Sequence, residues 1–166
     1  NNVTNPKYFL IEDLDNDNSF EIISSSYQLN QAENQKLSVF KKNSTSSSYE
    51  ENTINFYFSA ANAVQIADLD NDGNNDIISA FKSIVWNKNH GNDIFSSQYL
   101  ISQNINNLFT VDVEVKDLDN DGWLDIIGIT GGNLEIYKNI NGTKFIPIHT
   151  QIINEEGEDI EISDLN

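Results

Sequence analysis

The sequence predicts an all-β protein built from a repeated unit of about fifty residues. The segment DLDND begins at residues 13, 68 and 117, and a shortened copy, DLN, begins at residue 164. Alternating apolar and polar residues precede every copy, which is the pattern of a β-strand, and helical periodicity is lacking throughout. The repeats therefore cover approximately 5–58, 59–107, 108–155 and, in truncated form, 156–166.

Each complete unit contains four predicted strands in the same order. The first strand alternates ahead of the acidic segment, and the second begins with a pair of isoleucines just after it. The third ends in an aromatic residue followed by lysine and asparagine, and a turn then leads to a last β-rich run. Four short strands in about 40 to 50 residues are typical of one blade of a β-propeller. A β-sandwich of short hairpins is the alternative, although sandwiches rarely repeat one loop sequence at a fixed period.

The acidic segments place four carboxylates in one register, at the first, third, fifth and ninth positions of each loop. Calcium takes about six to eight oxygen ligands, and alternate side chains of a tight loop can converge on one ion, to which the backbone carbonyl of the seventh position would add a ligand. Gly73, Gly122 and Asn18 stand at the sixth position, where a positive φ is needed. A leucine at the second position is expected to anchor each loop in the core. The predicted calcium ligands are Asp13, Asp15, Asp17, Ser19 and Glu21; Asp68, Asp70, Asp72, Asn74 and Asp76; and Asp117, Asp119, Asp121, Trp123 and Asp125.

A solvated acidic turn is the simplest alternative, because Asp, Asn and Gly are ordinary turn residues. Three copies in one register, each between strands, favour bound metal instead, and Mg²⁺ fits less well because it keeps several of its waters. An EF-hand is excluded, since it needs a helix after the loop and an acid at the twelfth position, where Ser24, Ser79 and Gly128 stand. The sequence thus predicts about three Ca²⁺ ions, one in each complete loop.

The segments VQIADLDNDGNNDIIS and VEVKDLDNDGWLDIIG resemble the FG-GAP/VCBS repeat family, and the resemblance covers nearly the whole chain. It implies a calcium-binding β-propeller like the head of integrin α-subunits, in which the loop joins the first two strands of a blade. Its first, third, fifth and ninth positions would be side-chain ligands. Such propellers usually have about seven blades, so this chain would supply three blades and the start of a fourth. Asn18 and Glu21 depart from the family pattern, and the first site is expected to be the weakest or a distorted one.

Composition and charge exclude several classes of partner. The chain has 166 residues and a net charge of -17, with nine lysines and neither arginine nor cysteine. Nucleic acid and anionic membrane surfaces are therefore not expected as partners, since no extended positive surface is available. No apolar run approaches the ~20 residues that a membrane-spanning helix needs. Because metal ions can stabilise a secreted domain that lacks disulfides, we expect an extracellular, secreted or cell-surface protein.

Two functions remain open. The first hypothesis is a non-catalytic adhesion or binding module, which holds calcium as a structural element and presents its loops to a protein or glycan ligand. Further blades, or another copy of the chain, would cover its open edges. The alternative is the propeller portion of a secreted polysaccharide lyase, since related calcium-loop propellers form catalytic domains of some such enzymes. His90 and His149 are isolated, so no catalytic residue is predicted, and Trp123 is either a ligand contact or a packing residue over its loop.

Overall fold

The computed structural model describes residues 6–28, 31–54, 61–91, 94–96, 98–102, 109–152 and 160, which form twelve β-strands and no helix. Within these ranges there is accordingly no helix of the length and apolarity needed to cross a membrane. The strands are β1 (Pro6–Glu12), β2 (Glu21–Gln28), β3 (Gln31–Lys42), β4 (Tyr49–Ile54), β5 (Ala63–Ala67), β6 (Asp76–Ala80), β7 (Ile84–Asn87), β8 (Tyr99–Leu100), β9 (Thr110–Lys116), β10 (Asp125–Thr130), β11 (Asn133–Ile140) and β12 (Lys144–Ile152). The predicted all-β class is confirmed. Apart from residue 160, the truncated fourth repeat at 156–166 lies outside the described residues.

Consecutive strands pair into three four-stranded antiparallel sheets, here called sheet 1 (β1–β4), sheet 2 (β5–β8) and sheet 3 (β9–β12). The strands of every sheet follow chain order from one edge to the other, so neighbouring strands are also neighbours in sequence. Such an order needs only hairpin connections, which antiparallel pairing allows. The prediction of four-stranded units is confirmed for these three sheets.

The second strand of each sheet lies between two other strands. In sheets 2 and 3 this strand, β6 or β10, is buried along its whole length. Ile77 and Ile78 point to opposite faces of sheet 2 because side chains alternate along a strand, and they enter two different apolar clusters. The paired isoleucines of the sequence are therefore explained by a strand that is covered on both faces.

Two apolar clusters join neighbouring sheets. The cluster between sheets 1 and 2 contains Leu14, Ile23, Leu37, Val39, Ile54, Ala61, Val64 and Ile77. The cluster between sheets 2 and 3 contains Ala63, Leu69, Ile78, Ala80, Ile84, Trp86, Val113, Ile126 and Tyr137. Since sheet 2 contributes one face to each cluster, the three sheets stack face to face in chain order.

The two outer faces of this stack remain apolar and uncovered among the described residues. Phe9 in β1 is 66% exposed, whereas Val64, its counterpart in β5, is 1% exposed. At the other end Leu118 is 38% exposed, whereas the corresponding Leu14 and Leu69 are both at 0%. The predicted leucine anchor is thus confirmed for Leu14 and Leu69. It is wrong for Leu118, because no described strand covers this position.

The first strands of the three sheets lie close together. Gln65 Nε2 in β5 donates to Glu114 Oε1 in β9 at 2.9 Å. The strand β1 contacts β5 in turn, and burial, followed by the negative charges of Asp112 and Glu114, raises the pKa of Tyr8 in β1. Because the first strands lie next to one another, the three acidic loops that follow them lie next to one another on the same side of the stack.

Candidate metal centres

Each acidic loop connects the first strand of its sheet to the second. Loop 1 spans residues 13–21, loop 2 spans 68–76 and loop 3 spans 117–125, and positions one to nine are counted from the first Asp. The ninth position is also the first residue of the second strand. The strand register therefore fixes this residue, while the preceding eight positions form the turn.

The first and fifth carboxylates fold each loop by accepting hydrogen bonds from its backbone. In loop 2 the Asp72 N–H donates to Asp68 Oδ1 at 3.1 Å, and the Gly73 N–H donates to Asp68 Oδ2 at 2.8 Å. The Asn74 N–H donates to Asp72 Oδ1 at 2.9 Å. The corresponding bonds in loops 1 and 3 measure 2.7 to 3.2 Å. All three loops thus share one backbone conformation, including loop 1, where distortion was expected.

The sixth position has the positive φ that the sequence predicts. The angle is 66° at Asn18, 90° at Gly73 and 88° at Gly122. Asparagine tolerates this left-handed region better than other residues with a side chain. The replacement of glycine by Asn18 therefore leaves the turn of loop 1 intact.

The ninth carboxylate of each loop is buried and tied to the second position. Its relative exposure is 0% at Glu21, 0% at Asp76 and 2% at Asp125. One carboxylate oxygen accepts the backbone N–H of the leucine at position two, at 3.0 Å in loop 1, 3.1 Å in loop 2 and 3.2 Å in loop 3. The buried acid thus holds the start of the loop against the start of the second strand.

The second oxygen of the ninth carboxylate distinguishes loop 1 from the others. The backbone N–H of Asn89 donates to Asp76 Oδ1 at 2.8 Å, and that of Asn139 donates to Asp125 Oδ1 at 2.9 Å. Glu21 Oε1 is buried without a hydrogen-bond partner. In sheets 2 and 3 these asparagines lie opposite the eighth position of the loop. In sheet 1 Ile22 pairs with Phe40, so Lys42 lies opposite the eighth position of loop 1. Loop 1 therefore differs from the other loops at its ninth position, one of the two positions at which it departs from the family pattern, and the expected weaker binding stays a prediction.

Burial also shifts the acidity of the ninth position. It raises the pKa of Asp76 from an ordinary value of 3.8 to about 6, although the N–H groups of Asn89 and Leu69 oppose the shift. Burial likewise raises the pKa of Glu21. At the exposed fifth position the Ser19 N–H lowers the pKa of Asp17. At Asp76 and Glu21 burial thus outweighs the groups that favour the charged carboxylate, and a bound cation would favour that charged form.

In each loop one oxygen from each of three carboxylates lies within 4.8 Å of the other two. Two oxygens bound to the same calcium ion at about 2.3–2.6 Å can lie at most about 5 Å apart, so this spacing fits one ion per loop. The groups are Asp13, Asp15 and Asp17; Asp68, Asp70 and Asp76; and Asp117, Asp119 and Asp125. Moreover, Asp15 Oδ1 and Asp70 Oδ1 are buried without a hydrogen-bond partner. Buried polar atoms are normally satisfied, so the residues present fit a metal ion.

Six predicted ligands lie outside these groups. Asp72 and Asp121, at the fifth position of loops 2 and 3, accept the N–H of the seventh position, as Asp17 does in loop 1. The ninth residue of loop 1, Glu21, is replaced in its group by Asp17. Ser19, Asn74 and Trp123, at the seventh position, contact their loops through the backbone N–H. Their predicted role as carbonyl ligands stays a prediction.

A lysine from the third strand reaches the acids of every loop. Lys88 contacts Asp70, and its Nζ lies 2.8 Å from Asp72 Oδ2. Lys138 contacts Asp119 and lies 2.9 Å from Asp121 Oδ2, and Lys41 contacts Asp15. The recurring aromatic-lysine-asparagine segment of the sequence gives no indication of this role for the lysine. Since every loop carries four carboxylates and one lysine, it keeps an excess of negative charge.

The remaining candidate residues lie at the surface. His90 is exposed in a connection and His149 is exposed in β12, as their isolation in the sequence led us to expect. Trp123 is partly buried, and a Cβ atom on Gly142 would lie 2.9 Å from its Cζ3 atom, so its ring packs against the β11–β12 turn. Trp123 therefore has a packing contact with a neighbouring turn, and the expectation that it covers its own loop stays a prediction.

An open cleft of about 980 Å³ lies between loop 1 and the β3–β4 turn. It is lined by Asp17, Lys41, Glu50 and the serine-rich turn that begins at Asn43. Hydroxyl, amide and charged groups dominate this lining. The cleft is thus suited to a polar ligand and poorly suited to an apolar one.

No protein-family model and no curated protein matches the chain. Among solved structures, the chain is similar to a lectin of Agrocybe aegerita, described for its specific recognition of non-reducing terminal N-acetylglucosamine. The TM-score is 0.58 and the sequence identity 19%, and the similarity covers 90% of this chain but 39% of the lectin chain. The chain therefore shares the fold of a part of that protein, and spans less than half of its length.

Proposed function

We propose that the chain is part of a calcium-binding β-propeller of the FG-GAP/VCBS type that acts as a non-catalytic binding module outside the cell. The observation that carries this proposal is the convergence of three carboxylate oxygens within 4.8 Å in every loop. The buried, partnerless oxygens of Asp15, Asp70 and Glu21 support it, because these atoms require a ligand.

Calcium is the cation that these loops suit best. All the candidate ligands are hard oxygen atoms, and the loops offer several carboxylates without cysteine or histidine. Calcium accepts such sets in irregular geometry, whereas magnesium demands a near-ideal octahedron and keeps its waters. Each ion would neutralise two charges of its loop and fix the turn between the first two strands.

The stacking of the sheets supports a propeller. Each sheet presents the same face to its predecessor, so a fourth unit placed on sheet 3 would cover Leu118 as sheet 3 covers Leu69. A unit before sheet 1 would likewise cover Phe9 and Ile11, which are 66% and 51% exposed. Further blades, or a second copy of the chain, are the partners that these two faces fit.

The proposed location is extracellular. Extracellular calcium modules bind with dissociation constants of roughly 10⁻⁴–10⁻³ M, which fits millimolar calcium but not resting cytosol. The proposed ligand is a glycan or a protein surface. The lectin with the similar fold is described as recognising N-acetylglucosamine, and the polar cleft beside loop 1 offers hydrogen-bonding groups to a sugar.

Calcium titration of the chain stripped with EDTA tests the proposal. At ten times the dissociation constant each ion adds about 1.4 kcal/mol. Three ions therefore raise Tm by about 10 °C in a domain of this size. We expect about three equivalents in calorimetry, one fewer for Asp70→Asn, and no change for the exposed control Glu50→Gln. Absence of both heat and a Tm shift would overturn the proposal. Binding of a glycan array in calcium but not in EDTA then tests the ligand class.

A further inference from the structure

The fourth position of every loop is an asparagine with left-handed backbone. Its φ is 58° at Asn16, 55° at Asn71 and 59° at Asn120. The Asn16 side-chain amide donates to the Gly73 carbonyl at 3.1 Å, and the Asn71 amide donates to the Gly122 carbonyl at 3.1 Å. Loops 1 and 2 thus each donate a hydrogen bond to the sixth position of the following loop.

The peptide group that accepts this bond also serves a carboxylate of its own loop. The carbonyl of Gly73 and the N–H of Asn74 belong to one peptide unit, and that N–H donates to Asp72 Oδ1 at 2.9 Å. At the next junction the N–H that follows the Gly122 carbonyl donates to Asp121 Oδ1 at 3.0 Å. Hydrogen bonds at the two ends of a peptide unit polarise each other and strengthen together. The asparagine between two acids of one loop is therefore connected, through one peptide unit and its two hydrogen bonds, to the fifth-position acid of the next loop.

A second hydrogen bond runs in the opposite direction at both junctions. Asn75 Nδ2 in loop 2 donates to the backbone carbonyl of Asp13 in loop 1 at 3.1 Å. Asn139 Nδ2 in sheet 3 donates to the carbonyl of Leu69 in loop 2 at 2.8 Å. Two bonds of opposite direction restrain the relative position of neighbouring loops more firmly than one bond would.

We propose that Asn16 and Asn71 are positioning residues that couple the cation sites, so that an ion in one loop raises the affinity of the next loop. This inference rests on the proposed binding of calcium. Asn16 lies between Asp15 and Asp17, so an ion that draws these two carboxylates together fixes the backbone between them. The fixed Asn16 amide then holds the peptide that supports Asp72, the predicted fifth-position ligand of loop 2, which lies outside its carboxylate group. By thermodynamic reciprocity, an ion in loop 2 raises the affinity of loop 1 by the same factor.

The substitution Asn71→Gly tests the coupling, because glycine keeps the left-handed backbone without strain and removes only the amide. Asn120→Gly is the matched control, since the described structure contains no loop beyond loop 3. Calcium binding is followed by NMR at the Gly73 and Gly122 amides, which report loops 2 and 3 separately. In the wild type, in Asn71→Gly and in Asn120→Gly, the additional change Asp119→Asn removes calcium binding at loop 3.

Disabling loop 3 should weaken calcium binding at loop 2 by about two- to tenfold, the value of one hydrogen bond. This hydrogen-bond contribution to the weakening should vanish with Asn71→Gly and persist with Asn120→Gly. Long-range electrostatic effects of the lost charge are equal in both backgrounds and cancel. Asn71→Asp, which tolerates the same φ but cannot donate, should also abolish the coupling.

Equal weakening in the wild-type and Asn71→Gly backgrounds would overturn the coupling and leave calcium binding intact. If neither Gly73 nor Gly122 responded to calcium, the proposed function itself would be overturned. The two failures are therefore distinguishable in one titration.

Discussion

Lys88 Nζ lies 2.8 Å from Asp72 Oδ2, and the same ammonium group contacts Asp70. The lysine therefore neutralises part of a carboxylate cluster that a calcium ion would also bind. A divalent ion and a unit charge about 5 Å apart repel each other by roughly 1–2 kcal/mol even at the dielectric constant of water. The lysine and the ion thus compete for the same negative charge.

We predict that Lys88→Met raises the calcium affinity of loop 2 by about tenfold, because the repulsion disappears. The same change should lower the stability of the calcium-free chain by up to about 1 kcal/mol, the usual value of a partly exposed ion pair. Calorimetry and thermal melts in EDTA measure the two effects. Lys144→Met, at an exposed position outside the loops, carries the same charge change and should alter neither. Weaker calcium binding by Lys88→Met would show that the lysine supports the ion.

The raised pKa of Asp76 predicts a pH dependence of the calcium-free chain. Between pH 4 and about 6, the folded chain retains a proton on Asp76 that the unfolded chain has released. The contribution of this residue to the free energy of unfolding therefore decreases as pH rises through that window. In EDTA, the Tm difference between Asp76→Asn and wild type should shift in favour of the variant from pH 4 to pH 7.

Saturating calcium should shift the Tm difference at pH 7 back in favour of the wild type. The ion requires the ionised Asp76 carboxylate, and the asparagine of the variant supplies no charge. At pH 7 with saturating calcium the wild type should melt higher than Asp76→Asn. Melts at both pH values, with and without calcium, measure the effect. A Tm difference that is independent of pH and calcium would contradict the role of Asp76 as a ligand.

The sixth position offers a test of backbone strain. A Cβ atom on Gly73 would have no heavy atom beyond its two chain neighbours within 4 Å, so substitution costs mainly the strain of a φ of 90°. Gly73→Ala should destabilise the chain by about 1–2 kcal/mol. Gly73→Asn should cost less, because Asn18 adopts a φ of 66° at this position of loop 1. Urea unfolding with calcium present measures both, and equal losses would contradict the strain argument.

The leucines at the second position should differ in their contribution to stability. Leu69 is fully buried between sheets 2 and 3, and Leu69→Ala should cost about 3 kcal/mol. Leu118 is 38% exposed, and Leu118→Ala should cost less than about 1 kcal/mol. Urea unfolding at several protein concentrations checks both values. A large, concentration-dependent loss for Leu118→Ala would show that another copy covers this face in solution.

The strands and the loop turns were predictable because their signals are local. Alternating apolar and polar residues predicted the first strands, and paired isoleucines predicted the second strands. The positive φ at Gly73 and Gly122 was expected from the residue type. The burial of the ninth position was not predicted. It depends on the strand that starts there and on the sheet that covers it.

The role of the lysines could not be read from the sequence because the aromatic residues give a misleading alignment. Phe40 and Tyr137 pair with the first isoleucine of their second strands, but Trp86 pairs with Ile78, the second of its pair. Lys88 therefore corresponds to the lysines of the other sheets when the strands are aligned by their backbone pairing, but not when the sequences are aligned on the aromatic residues. The hydrogen bonds from the asparagine side chains to the next loop join residues more than fifty positions apart, so no local sequence pattern predicts them.

The hydrogen bonds from Asn16 and Asn71 to the following loop mean that no unit of this array is complete by itself. Insertion of a partial unit would separate the loops on either side of it and remove their hydrogen bonds, whereas a gain or loss of whole units would preserve these bonds at every junction. The contacts between loops therefore favour changes in length by whole units. Wherever such an array stops without closing on itself, its last loop lacks the neighbour that all earlier loops possess.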